Sequence, residues 1–330
     1  MAPRFFAVGW IAIVTACAVC AHFPAFSQLS TSVLRERSGR SISQPLPDSF
    51  KTNESLTTEE KRLCSRIAGL GKAGEWQRVS QLWRKYTGRA ETVMTAAMQA
   101  AYRCGQYSEA SRICNRMRNL QVEASPVTLL VQMKIFGKLK DEKRVSEIWT
   151  EMQGKGPLDI VRAGARVDAA AYMGDIPGAA AVLDTILNMS LAPDVPIFNS
   201  AINACTNAEP PSPGAAMLLY ETMLGQDLQP TVVTFTNMAR SHKQASVDKI
   251  KRVRSLMKKQ AVQPDSVFAE VYLSSLFQVQ NRKFLFDAVA GRKGFEERKQ
   301  EARNALADFH RAAVRLTGLS RKIEKQLRDL

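Results

Sequence analysis

The chain has 330 residues, 45% of them hydrophobic and 7% aromatic, enough apolar material for a folded body and too much for a disordered one. Its 46 Lys and Arg against 31 Asp and Glu give a formal charge of +15 and a pI near 9.7, which favours a polyanionic partner, nucleic acid or an anionic membrane surface. Six cysteines and three histidines are too few and too scattered for a disulfide scaffold. Cys17 and Cys20 share a C-x-x-C spacing but have no second pair downstream, so no zinc site is expected.

The first 21 residues are expected to form a signal peptide. The apolar stretch Phe5–Cys20 follows the basic Arg4 and ends in the small residues Val19-Cys20-Ala21, a cleavage pattern. A transmembrane anchor is the rival reading, although His22 and Pro24 cut the run short of a comfortable span. Residues 22–55 are rich in Ser and in Arg35, Arg37 and Arg40 but poor in acids, as transit peptides are. The tandem resembles the bipartite leaders of algae whose plastids are wrapped in extra membranes. The segment Ala21-His22-Phe23-Pro24 resembles the phenylalanine motif of such leaders. A plastid address is expected, with mitochondrial import or secretion as alternatives.

From residue 56 the chain repeats itself. Apolar residues at i, i+3, i+4 and i+7 mark one helix per unit: Val79/Leu82/Trp83/Tyr86, Ala110/Ile113/Cys114/Met117, Val145/Ile148/Trp149/Met152 and Ala216/Leu219/Tyr220/Met223. Weaker sets are Ala180/Leu183/Leu187 and Ile250/Val253/Met257. From Met117 through Met152, Leu187 and Met223 to Met257 the intervals are 35, 35, 36 and 34 residues. A preceding helix carries its own stripe, as in Phe198/Ala201/Ile202/Cys205 and Phe235/Met238/Ala239. Turns are expected at Gly74, Gly105, Gly174 and over Glu209–Gly214. Units should close at Pro193-Asp194, Pro230-Thr231 and Pro264-Asp265, where proline stops one helix and Asp or Thr caps the next. No alternation of period two occurs, so strands are not expected.

The tail carries the stripe Ala302/Leu306/Phe309/Ala313/Leu316/Ile323/Leu327, with Arg and Lys on its other face. Closing the stack is its simplest role; a coiled-coil seam or an RNA- or membrane-surface helix are the alternatives. The expected fold is all-α: a right-handed α-solenoid of stacked helix-turn-helix repeats over 56–281, ending in a basic C-terminal helical cap over 282–330.

Residues 58–281 resemble pentatricopeptide repeat proteins. The resemblance rests on Asp194-Val-Pro-Ile-Phe-Asn-Ser-Ala-Ile-Asn-Ala-Cys205, the apolar second helix ending in Met223, and Gln229-Pro230. The following unit, Val232-Val-Thr-Phe-Thr-Asn-Met238 through Gln263-Pro264-Asp265, repeats the pattern. The resemblance implies binding of single-stranded RNA, one base per repeat, in a concave groove lined by first helices. It also implies base reading by the fifth and last residues of a unit. These are Asn199 with Thr231, where Asn favours pyrimidines, and Thr236 with Asp265, a pair that favours guanine. Pro196 and Val233, at the second position, are the implied base-sandwiching residues. A helix-capping role is the alternative for the polar ones.

Counting back by 35 places Met94 with Ala124, Leu129 with Asp159, and Gly164 with Asp194 at the upstream reading positions. None of Met94, Leu129 or Gly164 can hydrogen-bond a base edge, so sequence reading is expected from at most two units. Lys249, Lys251, Arg252, Arg254, Lys258 and Lys259 on one second helix are expected to supply phosphate contacts. Four such contacts would give a log–log salt slope of roughly −3. No His-x-Glu with a following C-x-x-C and no Gly-rich phosphate loop is present. The expectation is therefore a non-enzymatic RNA factor without cofactor, metal or small-molecule substrate, acting in transcript stabilisation, processing or translation. A protein-interaction scaffold is the alternative.

Overall fold

The computed structural model describes residues 56–277 and 294–329. The chain divides between Thr57 and Thr58, and every described helix belongs to the second unit. The leader expected over 1–55 and the boundary expected at 281/282 lie outside the described residues.

Fifteen α-helices and no strand occur among the described residues. They run as pairs: α1 (Thr58–Lys72) with α2 (Trp76–Lys85), α3 (Glu91–Arg103) with α4 (Tyr107–Asn119), and α5 (Pro126–Lys138) with α6 (Glu142–Gly154). The array continues with α7 (Ile160–Met173) and α8 (Ile176–Asn188), α9 (Val195–Asn207) and α10 (Pro213–Gly225), and α11 (Val232–Ser241) and α12 (Val247–Lys259). Then come α13 (Ser266–Phe277), α14 (Phe295–Arg311) and α15 (Gly318–Arg328). Odd-numbered helices through α13 are first helices and even-numbered ones through α12 are second helices.

The chain turns from first to second helix at Gly74, Gly105 and Gly174, whose φ angles of 76°, 72° and 77° suit a residue without Cβ. Lys140 makes the equivalent turn at φ 56°. The turn expected over Glu209–Gly214 is shorter, because Ser212 already caps α10 and Gly214 lies inside it.

Second helices end differently from the expectation. At the ends of α4, α8, α10 and α12 the stop is a left-handed residue, not proline: Gln121, Ser190, Asp227 and Ala261, at φ 53–56°. The next amide closes a six-to-one bond onto the helix, Val122 to Met117, Leu191 to Ile186, Leu228 to Met223 and Val262 to Met257, at 3.0–3.2 Å. This is the Schellman arrangement, with an apolar residue on each side of the bond. Pro193, Pro230 and Pro264 follow three residues later, in the extended link. The deep residue of α8 is accordingly Ile186, fully buried, rather than the half-buried Leu187. The intervals from Met152 to Ile186 and on to Met223 become 34 and 37 residues, the longer unit carrying the enlarged turn before α10.

First helices stack directly on one another, from α1 on α3 to α11 on α13. Small residues permit the approach: a Cβ on Gly71 would fall 2.6 Å from the Cβ of Ala100, and one on Gly137 would fall 2.7 Å from the Cα of Ala169. Side chains tie the layer across units, Asn207 Nδ2 donating to the Ala171 carbonyl (2.8 Å) and Ser275 Oγ to that of Ala239 (3.0 Å). Each second helix packs on its own first helix and on the next one, sealing an apolar core of shared stripes. Phe198, Ala201, Ile202, Cys205, Phe235, Met238 and Ala239 are all fully buried there.

The tail is two helices, not one. Its stripe is buried at Ala302, Leu306, Phe309, Leu316, Ile323 and Leu327, but the backbone turns left-handed at Ala313 (φ 54°) and Thr317 caps α15. Ala313 is exposed.

Candidate nucleic-acid interface

Each first helix from α5 onward begins on a side chain that caps it. Ser125 Oγ, Asp159 Oδ1, Asp194 Oδ1 and Asp265 Oδ1 accept the amides of Thr128, Arg162, Ile197 and Phe268 at 2.7–3.3 Å. Thr231 caps α11 in a reciprocal box, its own amide donating to Thr234 Oγ1 at 3.0 Å. The caps fix the register of the repeat more firmly than counting does. Two residues beyond them stand Val127, Val161, Pro196, Val233 and Val267, all exposed. The four valines are 38%, 49%, 51% and 53% accessible. Among the described residues only Leu139 and Met189 are other large hydrophobics exposed to this degree. Exposed valines scattered singly need no explanation; the same position in five successive units does.

Five residues beyond the caps, with α3 counted from Ala90 at its start, lie Thr95, Leu130, Gly164, Asn199, Thr236 and Glu270, and nine beyond lie Gln99, Lys134, Asp168, Asn203, Arg240 and Ser274. These rows share a face with the valines. A depression of about 230 Å³ spanning α5, α7 and α9 is lined by Leu130, Lys134, Val161, Gly164, Asp168 and Pro196, with the cap Asp194 at its edge.

The cap register corrects three upstream positions. Met94 and Leu129 are fully buried core residues, and the fifth position from the cap falls on their neighbours: Thr95, 8% accessible and bonded to Glu91 and Thr128, and Leu130, half-buried. Ala124 gives way likewise to Ser125. Downstream, Asn199 is half-buried and accepts at Oδ1 from Thr234 Oγ1 of the next unit, 2.6 Å away. That contact commits its amide oxygen and leaves its Nδ2 protons as the remaining donors. Thr236 is 6% accessible and donates Oγ1 to the Val232 carbonyl at 2.7 Å. Thr231 and Asp265 are both caps and both exposed.

The expected phosphate set lies on α12, a second helix, away from these rows. Arg254 is committed elsewhere: it pairs with Glu301 at 2.7 Å and with Asp308. Lys258 also pairs with Asp308, and Arg252 reaches Glu221 at 3.8 Å. Lys249, Lys251 and Lys259 are exposed. The cations missed by sequence reasoning are on the first-helix face itself. Lys134 is exposed nine residues beyond its cap, Arg240 is half-buried in the same row, and Lys138 Nζ lies 3.7 Å from the Tyr172 ring centroid. The signal that could have found them, and the valines, is the cap.

Among the described residues no group of three His, Cys, Asp or Glu is placed to hold a metal ion, and no helix is long and apolar enough to cross a membrane. His242 is 2% accessible and bonds through Nδ1 to the Met238 carbonyl at 2.7 Å; burial pushes its pKa below the usual histidine value. It fastens the end of α11.

No family model and no curated protein matches the chain. Among solved structures, the pentatricopeptide repeat protein PPR10 from maize matches over 79% of this chain at 16% identity, with a TM-score of 0.47. PPR10 in complex with an 18-nt psaJ RNA element matches over 78% at 18% identity, with a TM-score of 0.49. The chain covers 41% and 39% of the lengths of those two chains.

Proposed function

We propose that this helical-repeat protein is of the pentatricopeptide type and holds single-stranded RNA along its first-helix face. The observation that carries the reading is the row Val127, Val161, Pro196, Val233 and Val267. Exposed apolar groups at a fixed repeat on a rigid scaffold gain most by meeting flat apolar surfaces at the same repeat. Unstacked bases are such surfaces, and stacking on them tolerates any sequence. Sequence reading then rests on the rows beneath. The Nδ2 donors of Asn199 select a base edge that presents an acceptor, and Asp265 offers a carboxylate, while Thr236, its hydroxyl proton given to the Val232 carbonyl, can only accept. Leu130 and Gly164 have no hydrogen-bonding side chain, so bases above them are held without being read.

Filter binding to single-stranded RNA tests this directly. Val161→Asp and Val233→Asp each place a carboxylate among bases and phosphates, and affinity should fall about ten-fold or more. Unchanged affinity in both variants would sink the proposal. The alternative, a protein-interaction scaffold, is favoured by Leu130 and Gly164; wild-type protein that binds no RNA would leave it as the better reading.

In this reading the protein acts on transcripts in a plastid, on the strength of its leader. Residues 1–55 fused to a fluorescent protein should carry it into the plastid of a host with a membrane-wrapped plastid. Retention in the secretory pathway or delivery to mitochondria would replace that address.

A further inference from the structure

The end of α14 repeats the ends of α4, α8, α10 and α12. Its left-handed residue is Ala313 (φ 54°), and the Val314 amide closes the six-to-one bond onto Phe309 at 2.9 Å. From the left-handed residue to the next cap is four residues in every such case: Gln121 to Ser125, Ser190 to Asp194, Asp227 to Thr231, Ala261 to Asp265, and Ala313 to Thr317. Buried residues match too. Counting back three, four and seven from Phe309 gives Leu306, Ala305 and Ala302, as Cys114, Ile113 and Ala110 stand to Met117. The packing follows the same plan: α14 lies on α13, and α15 lies on both α13 and α14, as a second helix and the following first helix do throughout the array.

We infer that α13 and α14 are a seventh repeat, interrupted between its helices by residues 278–293, and that α15 is the first helix of an eighth. The RNA-binding face then continues past the last unit recognisable in the sequence, an extension that rests on the RNA-binding reading above. Thr317, whose Oγ1 accepts the Ser320 amide at 3.3 Å, becomes the closing residue of the seventh unit and the partner of Glu270. Leu319 takes the position of the valines and is half-buried, and Lys322 takes the fifth position and is exposed. A lysine there has no acceptor and three donors, so it suits a phosphate or a base edge rich in acceptors. The bound strand would meet one more nucleotide site beyond α13.

The test is filter binding of the full chain to a random-sequence pool of single-stranded RNA, comparing Lys322→Glu with Lys143→Glu. Lys143 is exposed on the second helix α6, so the pair separates a groove contact from the general loss of positive charge. The expected result is a loss of about five-fold or more for Lys322→Glu and less than half of that for Lys143→Glu. Equal losses, or none for Lys322→Glu while Val233→Asp abolishes binding, would overturn the extension and leave the RNA-binding reading intact. Wild-type protein that binds no RNA would overturn both.

Discussion

Lys140 holds a left-handed backbone position that three equivalent turns give to Gly74, Gly105 and Gly174. A residue with a Cβ costs about 1–2 kcal/mol there, and glycine gives back about 0.5–1 kcal/mol through the greater entropy of its unfolded chain. Lys140→Gly should therefore stabilise the protein by up to about 1 kcal/mol, seen as a rise in thermal midpoint; a fall would show that the lysine side chain contributes more than the turn costs. The reading positions are decided at the same fine grain. Counting 35 residues backwards reaches Met94 and Leu129, because the unit from Ser125 to Asp159 is only 34 residues long and the one-residue slip is carried upstream. The caps at Ser125 and Asp159 reset the count, and Ser125, unlike its neighbour Ala124, carries the side-chain oxygen that starts a helix. The place of Asn199 and Thr236 within their units was legible because Pro193-Asp194 and Pro230-Thr231 mark the boundaries in the sequence itself.

The helices themselves were legible wherever their stripes were apolar, and less so where the stripe is broken. On α12 the stripe position equivalent to Cys114 or Tyr220 is held by Arg254, a charge facing a packed interface. It persists because α14 brings Glu301, 2% accessible by side chain, to 2.7 Å, with Asp308 on its other side. The Tyr272 hydroxyl donates to Glu301 Oε1 at 2.6 Å, completing the acceptor's shell. Burial raises the Asp308 carboxyl, but the hydrogen bond from Lys258 and the charge of Arg254 outweigh it and hold its pKa below the usual range. Arg254→Ala should cost about 3–5 kcal/mol, because Glu301 is left buried and unpaired. Arg254→Met combined with Glu301→Leu should recover most of that. Chemical denaturation of both variants checks the pair, and a double variant no more stable than the single would show that packing, not the stranded charge, sets the cost. This clamp draws α12 and α14 closer together than other successive second helices, which meet only through surface pairs such as Arg118 with Glu147 and Arg144 with Asn115. A pattern search sees in it only six cations and assigns them to phosphates. The break between α14 and α15 was hidden for a related reason. Its left-handed residue is alanine, so the Gly or Pro that usually punctuates a helix is missing.

Taken as one array, the protein is uniform in scaffold and irregular in surface. The layer of first helices depends on Gly71, Gly137 and a run of alanines that bring backbones together, a composition any reader of the sequence can recognise. What that layer presents outward varies from unit to unit: Leu130, Gly164, Asn199, Thr236 and Glu270 share one position and almost no chemistry. Period therefore revealed the fold, while the face had to be read from geometry. The caps link the two. Ser125, Asp159, Asp194, Thr231, Asp265 and Thr317 come from the small set of residues whose side-chain oxygen can start a helix, and exchanges within that set cost only a few tenths to about 1 kcal/mol. The same residues differ widely in charge and in what they donate or accept. Mutation can thus drift freely among them in any one unit without reaching the threshold at which the scaffold fails, and each unit can drift independently of its neighbours. In the RNA-binding reading, a lineage carrying this chain can change what the first-helix face prefers one position at a time, keeping a folded protein at every intermediate.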